Sequence, residues 1–176
     1  MRQFRRIHVT GISGSGKTTV AGRIAGRLGI PHIELDALHW QPRWQEPELE
    51  AFRQQVAAAL APEAWVLEGN YRKVHDLVWS RAQQVIFLDL PLALTLWRLM
   101  RRTVGRSLRN EVLWAGNREN LWTTFFTRES LIYYALRVRK RLKQRFEQDR
   151  QDPNLRHIEF LRLSSDREIS AYIQSL

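Results

Sequence analysis

The sequence predicts an α/β fold in which helices cover both faces of a parallel sheet. Five short and almost continuously apolar runs recur along the chain, and segments with helical periodicity separate them. Runs without polar alternation are typical of strands that are covered on both faces, and such strands form parallel sheets. The third observation is a glycine-rich loop between the first run and the first helical segment. At 176 residues, the chain has the length of one domain.

Each predicted element has a boundary signal. The strands are RIHVTG at 6–11, IPHIEL at 30–35, WVLEG at 65–69, QVIFLDL at 84–90 and HIEFLRL at 157–163. The first helix covers 18–28 and stops at Gly29, a residue that tolerates the left-handed conformation of a helix end. Pro47 and Pro91 each begin a further helix as a first-turn proline. A largely helical region with a basic outer face extends from about 119 to 150.

Composition excludes several classes of protein. The chain has no cysteine, so a disulfide framework, a thiolate metal site and a cysteine nucleophile are all absent. No stretch approaches the roughly 18 apolar residues of a membrane helix, and the start does not have the pattern of a secretory signal. We therefore expect a cytoplasmic protein, monomeric or homodimeric, with no membrane partner.

The net charge of +10 is concentrated in one segment. Between residues 98 and 145 the chain has thirteen Lys or Arg residues and three acids, and this excess equals the net charge of the whole chain. A positive surface of this kind attracts phosphates, whether they belong to nucleotides, nucleic acid or lipid. The alternative is that arginines simply decorate solvated helix faces, and the sequence leaves both interpretations open.

The strongest chemical signal is the loop GISGSGKTT at 11–19, which matches the phosphate-loop pattern G-x-x-x-x-G-K-[ST]. Its glycines let several backbone N–H groups converge on one anion, and the following helix adds its positive end. Lys17 supplies a charge for the outer phosphates and Thr18 a hydroxyl for Mg²⁺. The loop therefore predicts ATP and Mg²⁺ as cofactors. The predicted nucleotide-binding residues are Gly11, Ser13, Gly14, Ser15, Gly16, Lys17, Thr18 and Thr19.

Further motifs resemble those of nucleotide kinases. WVLEGNYR at 65–72 is similar to the strand of adenylate kinases that ends in an acid, a glycine and then an arginine. A closer resemblance is to bacterial adenylate-kinase-related, or DNA-topology-modulation, kinases, because LDALHW, EGNYR and VIFLDLP occur here in their order. The resemblance implies a P-loop kinase fold with five parallel strands in the order 2-3-1-4-5 and a helical lid. It also implies transfer of the γ-phosphoryl group to a small acceptor, first a nucleotide or nucleotide-like molecule.

The same resemblance assigns roles to several side chains. Arg98 and Arg102, four residues apart, would contact nucleotide and phosphates, and Arg72 would bind the acceptor. Arg118 is the candidate from a lid-like insertion at about 103–130, since arginine can bind phosphate through two N–H groups. Together with Lys17, these arginines would stabilise the charge of phosphoryl transfer. Glu68 would accompany Thr18 as the metal partner, where the family more often has Asp.

Two alternatives concern the metal site and the acceptor site. Asp89 competes with Glu68, because it also follows an apolar strand. Asp36 and His39 begin an acceptor-binding region at 36–62, and gluconate and shikimate kinases have an acid at the corresponding place. A carboxylate suits a hydroxyl acceptor because it can orient the hydroxyl and take its proton. The other interpretation is that Asp36 is a turn acid and that His39 is a packed or exposed loop histidine.

Three functions therefore remain open besides a nucleotide kinase. The protein could phosphorylate a small hydroxyl compound at an acceptor site like that of gluconate or shikimate kinases. It could be a nucleic-acid-associated ATPase or regulator that uses the basic segment, although no recognition-helix or zinc motif is present. It could also be a nucleotide-binding switch without catalytic activity.

Overall fold

The computed structural model describes residues 4–109, 111–117 and 131–176, with only the backbone described for 131–136. The sheet consists of β1 Arg6–Gly11, β2 His32–Glu34, β3 Trp65–Glu68, β4 Gln84–Leu88 and β5 Glu159–Leu163. All neighbours pair in parallel, in the order β2-β3-β1-β4-β5. The predicted fold class and strand order are therefore confirmed.

Seven helices accompany these strands in the described part of the chain. They are α1 Lys17–Leu28, α2 Leu35–His39, α3 Leu49–Ala59, α4 His75–Trp79, α5 Leu92–Leu108, α6 Leu131–Gln151 and α7 Asp166–Gln174. None of the described helices is long and apolar enough to cross a membrane.

Two hydrophobic cores lie on opposite faces of the sheet. One joins β3 and β4 to α3, α4 and α6 through large side chains such as Phe52, Phe87 and Phe146. The other packs α1 and α7 on the opposite face, where Ile24 and Ile86 are buried. Adjacent residues of β4 thus serve opposite cores, which is why its sequence is apolar without alternation.

Element boundaries differ slightly from the predicted ones. The second strand is shorter than 30–35, because the chain turns into α2 directly after Glu34. The helix predicted from Pro47 begins at Leu49. The region of the predicted lid starts as a continuation of α5, and residues 118–130 lie outside the described residues.

A buried carboxylate ties the sheet to α6. Asp89 follows β4, its side chain is 1% exposed, and it accepts hydrogen bonds from Arg139 in α6 and from Arg162 in β5. Lys143 approaches the same carboxylate at 4.0 Å. Since burying an isolated charge is costly, these three cations compensate the buried carboxylate of Asp89 by ion pairing.

Replacing Asp89 should therefore destabilise the protein more than replacing an exposed acid. We expect Asp89→Ala to lower the free energy of unfolding by about 2–3 kcal/mol, because partly buried cations lose their counter-charge. Glu63→Ala is the matched control: Glu63 also faces two arginines, Arg6 at 3.0 Å and Arg81 at 3.6 Å, but its side chain is 86% exposed. Its loss should stay below about 1 kcal/mol. Urea unfolding of both variants measures the difference, and equal losses would contradict the expectation.

Candidate active site

The phosphate loop connects the end of β1 to the start of α1. Gly14 and Gly16 both have φ +83°, and a Cβ atom at Gly14 would lie 2.2 Å from the carbonyl oxygen of Thr95 in α5. The loop closes on itself through a hydrogen bond from Ser15 N to Ile12 O at 3.1 Å. The glycines are therefore required by backbone conformation at both positions and by the close approach of α5 at Gly14.

Several polar groups of this loop have no partner within the described part of the chain. Gly16 caps α1 without a side-chain hydrogen bond, so the first N–H groups of the helix are not capped by a side chain. The hydroxyl of Ser15 is buried and has no hydrogen-bond partner among the described residues. Unpartnered donors at the positive end of a helix are the arrangement that binds anions such as phosphate.

Next to the loop, Thr18 and Glu68 form a pair suited to a metal ion. The Thr18 hydroxyl donates to Glu68 Oε1 at 3.0 Å, whereas Oε2 is buried without a partner among the described residues. Burial raises the pKa of Glu68, and the nearby charge of Lys17 and the Thr18 hydrogen bond partly offset this rise. An unsatisfied carboxylate oxygen beside a hydroxyl fits Mg²⁺.

This pair would hold Mg²⁺ only together with other ligands. Within residues 4–109, 111–117 and 131–176 there is no group of three or more His, Asp or Glu side chains that could hold a metal ion. Mg²⁺ is commonly bound by one or two protein side chains together with substrate phosphates and water. The competing acid, Asp89, is already occupied by cations, so the geometry favours Glu68.

The predicted arginines lie at different places. Arg98 in α5 lies close to the phosphate loop, because a Cβ atom at Gly16 would be 3.9 Å from its Nη1. Its Nη2 donates to Asp166 Oδ2 at 2.7 Å, which connects α5 to the first turn of α7. Arg102 is exposed one turn further along α5. Arg118 lies outside the described residues, so its role stays a prediction.

Asp36 lies on α2, just past the end of β2. The Tyr71 hydroxyl donates to Asp36 Oδ1 at 2.6 Å. Burial and then Asp36 itself raise the pKa of Tyr71, so the phenol stays a neutral donor. Asp36 and Glu34 both help to raise the pKa of Glu68, which means that three carboxylates share this edge of the sheet. The indole N–H of Trp114 donates to Glu34 Oε2 at 3.1 Å and adds an aromatic ring.

His39 points into an aromatic cluster instead of standing free. Its side chain is buried, and ring centroids of Trp40, Phe52 and Tyr71 lie 4.4–4.9 Å away. Burial lowers the pKa of His39 below its ordinary value. This environment favours the interpretation of His39 as a packed loop histidine, and its role in substrate binding stays a prediction.

Arg72 is found beside a groove between α4 and the end of α6. It lines this groove of about 530 Å³ together with His75 and Arg145. Burial and the neighbouring His8 and arginines lower the pKa of His75 to about 3. Among the described hydrogen bonds and ion pairs, none joins Arg72 to the phosphate loop or to Asp36. Its predicted role in acceptor binding is therefore without geometric support.

The described end of the predicted lid, residues 111–117, docks on the predicted acceptor region. Asn117 is buried, its Nδ2 donates to Gln41 O at 2.8 Å, and its Oδ1 accepts from Trp44 N at 2.9 Å. The sequence contained no signal for these contacts, because an asparagine after a glycine ordinarily indicates only a turn.

Asn70 and Tyr71 are the residues of the site that had a signal but received no role. Both stand in EGNY, the segment that carries the resemblance to kinases, in which only the acid and the later arginine were assigned. The structure places Tyr71 on Asp36 and Asn70 on Gly11.

Several solved structures of similar fold are kinases. Shikimate kinase from Acinetobacter baumannii in complex with shikimate is 16% identical, with 98% of this chain and 90% of that chain covered and a TM-score of 0.56. A gluconokinase from Sinorhizobium meliloti 1021 is 20% identical, with 99% of this chain and 94% of that chain covered and a TM-score of 0.51. Deoxyadenosine kinase from M. mycoides with bound dCTP is 13% identical, with 96% of this chain and 97% of that chain covered and a TM-score of 0.52. At these identities the likeness shows the fold, which is that of P-loop kinases.

Sequence comparison is more specific about relatives. No protein-family model matches the chain. The uncharacterized protein YqaC of Bacillus subtilis (strain 168) is 30% identical over 129 residues, which make up 72% of this chain and 72% of YqaC. With this identity over most of both chains, the protein belongs to the same family as YqaC.

Proposed function

We propose that the protein is an ATP-dependent kinase that transfers the γ-phosphoryl group to a small acceptor. The observation that carries this proposal is the buried Glu68 carboxylate. One oxygen accepts from Thr18, the other has no partner in the described part of the chain, and the group lies near both Lys17 of the phosphate loop and Asp36. The kinase fold of the structural neighbours supports it. The adenylate-kinase-related resemblance of EGNYR and VIFLDLP supports it independently.

On the donor side, the chain itself would bind and orient the triphosphate. The N–H groups of residues 13–19 other than that of Ser15, together with the Lys17 ammonium, would hold the outer phosphates, and Thr18 and Glu68 would hold Mg²⁺. When bound, Mg²⁺ would neutralise phosphate charge. Arg98 lies near the loop, and Arg102 and Arg118 would complete the charge around the transferred group.

On the acceptor side, Asp36 would orient the attacking hydroxyl. The hydroxyl oxygen forms a bond to the γ-phosphorus while the bond to the ADP oxygen breaks, and Asp36 accepts the proton that the hydroxyl loses. Tyr71 holds the carboxylate by donating to Oδ1, and among the described residues no hydrogen bond occupies Oδ2. Residues 36–62 would thus form the acceptor region and 103–130 the lid.

The charges at this edge favour an uncharged hydroxyl compound as acceptor. Glu34, Asp36 and Glu68 lie near one another, and a phosphate-bearing acceptor would add a dianion to them. Arg72, the cation predicted to receive such a phosphate, lines a different groove. Sugars, polyols and nucleosides carry suitable hydroxyls, and nucleosides remain within the nucleotide-like class. A nucleotide acceptor, predicted first from the resemblance, has less support from these contacts.

The nucleic-acid alternative also loses support from the contacts of the basic segment. Several of its cations pair with acids of the fold: Arg98 with Asp166, Arg139 with Asp89, and Arg145 with Asp149. Cations that are paired with acids contribute less to a positive surface than unpaired cations do.

An acceptor screen tests the proposed function. ATP consumption should require Mg²⁺ and an acceptor. The rate should be higher with adenosine than with AMP, and higher with glucose than with gluconate, because AMP and gluconate are anions. Lys17→Ala should reduce the rate by about a hundredfold or more, because a cation that stabilises the transferred phosphate is lost. Lys140→Ala, on an exposed face of α6, is the matched control and should be neutral. If the protein binds ATP but transfers phosphate to none of the acceptors, the proposal that it is a kinase is refuted.

Asp36→Asn tests the role of the acceptor acid. The amide keeps the shape of the side chain but cannot take a proton, so transfer should fall by about a hundredfold or more while ATP affinity stays unchanged. Asp152→Asn is the control, since Asp152 caps the turn at Pro153–Leu155. Rates and calorimetric ATP titrations distinguish the two effects. Full transfer by Asp36→Asn would mean that the acid is a turn residue.

The raised pKa of Glu68 predicts a pH dependence of Mg²⁺-assisted binding. Only the ionised carboxylate binds Mg²⁺, and burial raises the pKa of Glu68 above its ordinary value. The Mg²⁺-dependent gain in ATP affinity should therefore be full at high pH and decline as the pH falls towards this pKa. In Glu68→Gln, the Mg²⁺-dependent gain in ATP affinity should be small at every pH. ATP titrations in the presence of Mg²⁺ and of a chelator measure this gain, and equal gains in the wild-type protein and in Glu68→Gln would exclude Glu68 as the ligand.

A further inference from the structure

The turn at 68–71 sends three neighbouring side chains to three parts of the proposed site. Glu68 accepts from Thr18 at the metal position, and Tyr71 donates to Asp36 at the acceptor position. Between them, Asn70 reaches the start of the phosphate loop. One short turn therefore contacts the metal position, the donor loop and the acceptor acid.

Asn70 holds both polar groups of the first loop residue. Its Nδ2 donates to Gly11 O at 2.5 Å, and its Oδ1 accepts from Gly11 N at 3.4 Å and from the Thr10 hydroxyl. A Cβ atom at Gly11 would lie 2.6 Å from Ser15 Oγ, so this residue is also packed against the interior of the loop. A planar amide is suited to this position because it offers a donor and an acceptor side by side.

The turn itself is fixed to the sheet. Gly69 has φ +136°, and a Cβ atom there would lie 2.7 Å from Leu35 Cβ. The Gly69 carbonyl accepts from His8 Nε2 at 2.9 Å, while His8 Nδ1 accepts from the indole N–H of Trp79 at 3.2 Å. Burial lowers the pKa of His8 to about 4, so the ring is neutral and these partners set its tautomer. Asn70 thus starts from a rigid backbone.

We infer that Asn70 is a positioning residue for phosphoryl transfer: it fixes the Gly11 peptide relative to Asp36 and thereby the distance between donor and acceptor. This role rests on the proposed function. Asn70 acts through Gly11 and need not touch either substrate. A displacement of about 1 Å between reacting groups can cost about a hundredfold in rate, so a residue of this kind influences turnover more than binding.

Asn70→Ala and Asn70→Asp test the inference. Both lose the donor to Gly11 O, and we expect turnover to fall by about ten- to a hundredfold while ATP affinity changes by less than about threefold. Asn154→Ala is the control, because the side chain of Asn154 donates to Asp152 in a surface turn. The double variant Thr10→Val, Asn70→Ala should lose less turnover than the product of the two single losses. Both substitutions remove the same hydrogen bond, from the Thr10 hydroxyl to Asn70 Oδ1. Wild-type turnover by Asn70→Ala would overturn the inference.

Amide hydrogen exchange supplies a readout that does not depend on catalysis. In Asn70→Ala, the hydrogen-bonded amides of Gly11 and Ser15 should exchange about tenfold faster or more, whereas those of β4 should keep their protection. Unchanged exchange in the loop would overturn the inference, and so would an equal increase throughout the sheet. If the wild-type protein transfers no phosphate, the proposed function fails, whereas the exchange result still decides whether Asn70 positions the loop.

Discussion

Strands β1 and β3 run in parallel, and their ladder ends at the pair Val9 and Glu68. Beyond this pair, β1 continues into the phosphate loop and β3 into the turn that carries Asn70 and Tyr71. Because parallel strands end at the same edge, the residues that follow them are neighbours in space although about sixty positions separate them in sequence. The register of this ladder therefore sets which side chain of the turn meets Thr18, Gly11 and Asp36.

Two buried acids lie at this edge of the sheet, and they differ in how far the fold compensates their charge. Asp89 is surrounded by Arg139, Arg162 and Lys143, so its charge is neutralised within the fold. Glu68 has a hydroxyl on one oxygen and no described partner on the other, and burial raises its pKa. A fold that leaves one buried carboxylate incompletely compensated gains no stability from it. Such a group is more consistent with binding than with structure.

The sequence predicted the parts of the site that depend on local pattern. The loop at 11–19 follows a strand and begins a helix as its motif requires, and the positions of the five strands follow from apolar runs. Side chains in turns were harder to predict. The direction of Arg72 and the burial of His39 depend on contacts with α6 and α3 that no local pattern encodes. The bonds of Asn70 to Gly11 span 59 positions, so only the strand register could reveal them.

Strained backbone in the described residues lies where the predicted lid, 103–130, contacts the predicted acceptor region, 36–62. Arg43, Trp44 and Ala115 are the non-glycine residues with left-handed φ in the described chain, at 62°, 57° and 54°. Each such conformation costs on the order of 1–3 kcal/mol and persists only where surrounding contacts enforce it. Here the two bonds from Asn117 to 41–45 provide that enforcement. The strained residues lie on both sides of this contact, so loss of the contact would remove the constraint on both segments.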